Sequence, residues 1–70
     1  MVSEAAQAFI DRCYKDGVAM AIHPIFDSIY EIDGKMHKFT KEVLEEIKRS
    51  NKVKVLYEGS KSANLMGFRQ

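Results

Sequence analysis

The 70-residue chain has one cysteine, one proline, no tryptophan and almost no net charge, +1 at neutral pH. Each shortage excludes a class. Cys13 alone cannot build an internal disulfide framework, so a reducing cytoplasm is the expected compartment. No apolar run approaches the roughly 20 residues that span a bilayer. Met1-Val2-Ser3-Glu4 has neither the basic start nor the apolar stretch of a secretory signal. Apolar residues make up 46% and charged residues 30%, which excludes a disordered tail or a low-complexity linker. The length predicts a single small domain over residues 1–70. Such a chain buries only about 60% of its unfolded surface and has no evident staple, so a homo-oligomer is expected to supply more.

What is present is well punctuated. Ser3 predicts a helix start, and Ala6, Phe9, Ile10, Cys13 and Tyr14 form an apolar stripe that Gly17 is expected to end. On that stripe Cys13 reads as a small core residue. Val18-Ala19-Met20-Ala21-Ile22 is apolar on both faces, which predicts a central strand, and His23-Pro24 stops it. Asp33-Gly34 predicts a hairpin between Ile29–Ile32 and Lys35–Phe39. Its register is open between a plain two-residue turn, pairing Tyr30 with His37, and a bulged turn pairing Glu31 with Lys35. The ion pair favours the second.

Thr40 caps a second helix with Phe39 and Leu44 as a hydrophobic staple, Val43, Leu44 and Ile47 as its stripe, and Asn51 as terminator. Lys52 to Glu58 alternates as a half-buried strand with Leu56 as the exception, Gly59–Ser62 is a loop, and Asn64–Phe68 returns as a last strand. The order α-β-β-β-α-β-β predicts an α+β fold with a mostly antiparallel sheet packed on two helices. Val18, Met20, Ile22, Val53 and Val55 are expected to meet Phe9, Ile10, Leu44 and Ile47 in the core.

Catalytic patterns are absent: no HExxH, no CxxC, no nucleophile elbow and no dinucleotide glycine fingerprint. Gly59-Ser60-Lys61-Ser62 resembles the end of a P-loop but lacks the earlier glycine. His23, His37, Asp27 and Cys13 have scattered spacing, and polar strand-end histidines are commoner than metal ligands. An Asp27–His23 acid–base pair would need a water-excluding cleft that so small a domain has little room for. No enzyme, cofactor or metal is expected.

Charge is distributed unevenly. Residues 1–34 carry a net −4 and residues 35–70 a net +5. Either the halves interleave on folding and neutralise each other, or Lys52, Lys54, Lys61 and Arg69 make a basic face. Ser60, Ser62 and Asn64 would then add polar groups, and Tyr57 a stacking surface, for a phosphate-bearing ligand or an acidic protein. The helix from Lys41 to Ser50 with its following hairpin resembles the tail of a winged-helix domain. The resemblance ends there, since two further helices are missing and three glutamates on the helix would repel phosphates.

A short chain starting at Met1 without a targeting signal fits the small regulators, inhibitors and accessory proteins of prokaryotes or their viruses. Binding of a protein partner is therefore the leading expectation. Sequestration of a nucleotide-like phosphorylated molecule at an oligomer interface comes next, then nucleic-acid binding through the basic half. Ile25, Phe26, Leu65, Met66 and Phe68 are the candidates for an oligomer interface.

Overall fold

Side chains at the helix boundaries fix where both helices begin. In the computed structural model, which describes residues 2–68, α1 spans Glu4–Arg12 and α2 spans Lys41–Ser50. Ser3 Oγ accepts from the Ala6 amide at 3.2 Å, and Thr40 Oγ1 accepts from the Val43 amide at 3.1 Å. Asn51 ends α2 in the left-handed region, as its short polar side chain permits.

α1 stops earlier than its stripe suggests. Cys13 is its C-cap, and Gly17 belongs to a hairpin joining β1 (Tyr14–Lys15) to β2 (Val18–Ala19). Asp16 and Gly17 have φ of 52° and 80°, the paired positive values of a type I′ turn. The expected central strand also breaks. Met20 donates to the Cys13 carbonyl at 2.7 Å and accepts from Gly67 at 3.1 Å, so the chain changes partner there and continues as β3 (Ala21–Ile22). Val18 is 64% exposed and Met20 39%, so neither joins the core. The run is apolar on both faces, yet β3 is an edge strand.

After β3 come β4 (Ile29–Ile32) and β5 (Lys35–Lys38), then α2, β6 (Val53–Glu58) and β7 (Ala63–Gly67). The β4–β5 hairpin adopts the plain register, with Tyr30 opposite His37 and Ile32 opposite Lys35. Asp33 and Gly34, at φ 52° and 81°, again form a two-residue turn whose twist suits the strands without a bulge. The expected Glu31–Lys35 pairing is thus wrong, and Lys35 instead reaches Glu4 of α1 at 3.5 Å.

The main sheet is antiparallel in the order β3-β7-β6. The α+β class holds, with five short strands between the helices where three were expected. Phe9, Ile10, Leu44, Ile47 and Val53 are buried as anticipated, while Ile22 and Val55 only pack against that cluster. Phe39 was not anticipated in the core, yet it meets Phe9 edge-on at 5.1 Å and stacks on Phe26 at 5.2 Å. Among the described residues, no helix is long and apolar enough to cross a membrane.

Candidate functional site

Both helices pack on the Val53, Ala63 and Leu65 side of the β3–β7–β6 sheet, and no described helix covers the other side, where Asn64 nonetheless keeps its Oδ1 buried. Alternation along β6 turns Val53 and Val55 toward the helices and Lys54 outward, while Lys52, in the bend before the strand, lines a cavity beside Gln7, Ile10 and Tyr14. The register then shifts between Val55 and Tyr57, so Tyr57 pairs with Asn64 and Glu58 with Ala63. Ala63 is buried, so Glu58 shares the helix side, where Lys48 Nζ of α2 reaches it at 2.5 Å. Tyr57 moves to the outer face with Lys54, Asn64 and Met66, and Leu56 at the bulge is 53% exposed. Strict alternation would have put Tyr57 inward and Glu58 outward. The broken pattern at Leu56 was the visible sign of this bulge.

Three of the sequence-predicted binding residues therefore share one surface. Lys54, Tyr57 and Asn64 lie on the outer face, Lys52 sits in the bend before β6 near α1, and Ser62 bonds to His23 Nε2 at 3.0 Å beside the outer face. Ser60 and Lys61 form the exposed β6–β7 turn, which the Gly59 amide closes on the Ser62 carbonyl at 2.8 Å. Arg69 lies outside the described residues. The ion pairs among the described residues are Lys35–Glu4, Lys48–Glu45 and Lys48–Glu58, so Lys52, Lys54 and Lys61 take part in none. Lys52 and Lys61 flank a six-residue strand, and such a strand spans about 20 Å. They are too far apart to grip one small molecule. Among the described residues the cavities lie off the outer face, and Lys52 lines one of them with Gln7, Ile10, Asp11 and Tyr14.

The interface candidates divide. Ile25 and Phe68 are about half exposed, and Met66 is partly covered on the outer face. Leu65 is fully buried, because its register position opposite Ile22 and Val55 turns it toward the helices, so it cannot face a second molecule. Phe26 is half-buried against Phe39, with Lys41 Nζ 5.8 Å from its ring.

Chemistry-bearing residues elsewhere do not converge. Burial pushes the free Cys13 thiol up to about 11, the opposite of what a thiolate nucleophile needs. His37 is buried on β5 and His23 is exposed after β3. Among the described residues no three His, Cys, Asp or Glu side chains cluster as a metal site would require. Comparison of the chain with protein-family models, curated proteins and solved structures returns no match.

Proposed function

We propose that the protein is a small non-enzymatic binding module that docks an acidic, partly apolar protein surface on the open face of its β3–β7–β6 sheet. One observation carries this reading: Lys54, in no ion pair among the described residues, stands beside exposed Leu56 and Tyr57 on a sheet face that no described helix covers. Apolar side chains supply buried area, and the lysines steer encounter with a partner of opposite charge. Spacing along the strand favours an extended partner surface over a small phosphorylated molecule, which needs a concave site. Regulation or inhibition then follows from covering the partner's surface. The setting proposed is the cytoplasm, where the lone buried thiol of Cys13 stays reduced.

An NMR titration of isotopically labelled protein tests this with three probes: an acidic peptide containing leucine and tyrosine, ATP, and oligothymidylate. The acidic peptide should shift the Lys54, Tyr57, Asn64 and Met66 amides. Combined Lys52→Ala and Lys54→Ala substitution should weaken it about tenfold or more while scarcely moving the melting temperature. Saturable binding of ATP in preference to the peptide would overturn the reading. So would tighter binding of the oligonucleotide with a steep salt dependence.

A further inference from the structure

Strands β3 and β4 follow one another in the chain but do not pair, and a cleft opens between them. Its inner part, about 110 Å³, has Phe9 and Arg12 of α1, Ile22 and Pro24 on one side, and Tyr30 and Ile32 on the other. It adjoins an outer part of about 420 Å³ that shares Arg12, Ile22 and Ile32 and adds Asp11, Asp16 and Asp33.

Among the described residues both strand edges beside this cleft are unpaired. Gly67 and Ala63 of β7 donate to the carbonyls of Met20 and Pro24, so Ala21 and His23 direct their backbone groups away from β7. On β4, the two-residue turn makes Ile32–Lys35 and Tyr30–His37 the hydrogen-bonded pairs, which frees the N–H and C=O of Glu31 on the edge opposite β5. Two open edges above an apolar floor are the requirements for adding a strand.

The mouth has a sign of its own. The two Asp-Gly turns place Asp16 and Asp33 beside it, and Asp11 and Glu31 join them, against Arg12 and Lys15. We propose that this cleft receives an extended peptide segment of a protein partner, adding a strand between β3 and β4. An apolar side chain of the segment rests on Phe9, Ile22 and Ile32, and a Lys or Arg sits at the aspartate mouth. This surface is separate from the basic sheet face and selects the opposite charge, so either can fail without the other.

The test is an NMR titration with two capped peptides, Lys-Val-Lys-Val-Thr-Val and its Glu-for-Lys counterpart. The basic peptide should shift the Ala21, His23 and Glu31 amides saturably and slow their hydrogen exchange, binding about tenfold tighter than the acidic one. Glu31→Pro removes one cleft-facing donor without touching a β4–β5 bond and should weaken binding about tenfold. Asp16→Asn with Asp33→Asn keeps residues suited to the turns and should erase the preference for the basic peptide. The proposal is overturned by equal binding of both peptides, by shifts confined to β6, or by no shift at millimolar peptide. An unchanged preference in the double asparagine variant would overturn it too.

Discussion

At Gly67 the sheet approaches the end of α1 so closely that a Cβ would stand 2.5 Å from the Cys13 carbonyl oxygen and 2.8 Å from the Tyr14 ring. Neither neighbour can move cheaply. The carbonyl accepts from Met20, while the Tyr14 hydroxyl donates to the Lys52 carbonyl at 2.5 Å and accepts from the Phe68 amide at 3.0 Å. Gly67→Ala should therefore cost about 1–3 kcal/mol of overpacking, read as a drop in melting temperature. Gly59→Ala would meet only the Tyr57 ring, whose exposed end can swing away, and should cost less. An equal loss in both would show that Gly67 is not a packing requirement. Cys13 permits a different measurement. Burial raises its thiol from an ordinary 9.0 to about 11, so the folded chain keeps a proton that the unfolded chain releases. The resulting stability is complete below about pH 9 and is lost as pH rises toward about 11. Hydrogen bonds that Lys48 donates to Glu58 and then Glu45 raise it in the same direction, so its contribution also fades above 10.5. Melting curves across this range should decline in the native chain and decline less in Cys13→Ala; parallel curves would remove the thiol from the account.

Among the elements, those governed by local chemistry could be read from the chain, and those governed by partners could not. Both N-caps, the Asn51 terminator and the α2 stripe were legible because each depends on neighbours within one turn. The Asp16-Gly17 hairpin is masked in the sequence, although its dipeptide equals that at Asp33-Gly34, because Tyr14 extends the helical stripe past the true end of α1. The stretch Val18–Ile22 was misplaced for a tertiary reason. Its apolar composition predicts two covered faces, but both helices lie on the same side of the sheet. The candidate site was half legible: residue type marked Lys52, Lys54 and Tyr57, whereas the bulge that turns Tyr57 outward depends on β7. The cleft between β3 and β4 was invisible, since it arises from two strands that fail to pair. The relocated core has a direct check in a pair of truncations. Ile47, fully buried on α2, should lose about 2–5 kcal/mol on replacement by Ala. Val18→Ala should stay within about 0.5 kcal/mol, the usual range for surface positions. Comparable losses from urea unfolding would put Val18 back in the core.

For the whole molecule, the acidic and basic halves of the sequence are joined by few ion pairs among the described residues. Of the three ion pairs among the described residues only Lys35–Glu4 joins the acidic half to the basic half, and both partners are exposed. Acidic groups of the first half gather at the cleft mouth, while Lys54 of the second half stands on the open sheet face. This separation gives self-association a sign that can be measured. A twofold dimer packs the same patch of each copy against its counterpart. Using the open sheet face would bury Leu56, Tyr57 and Met66, but it would also bring Lys54 of both copies together. Screening shortens from about 10 Å at 0.1 M salt to about 3 Å at 1 M, so added salt should favour that dimer. In sedimentation equilibrium the average mass should rise above the 8.0 kDa of one chain as salt increases. Lys54→Ala should reach the same mass at lower salt. An acidic partner on this face would show the reverse dependence, weakening as salt rises. A mass that instead falls with salt would point to a head-to-tail contact between the lysine face of one copy and the aspartate mouth of the next. A mass of one chain at every salt concentration would leave the sheet face to a different protein alone.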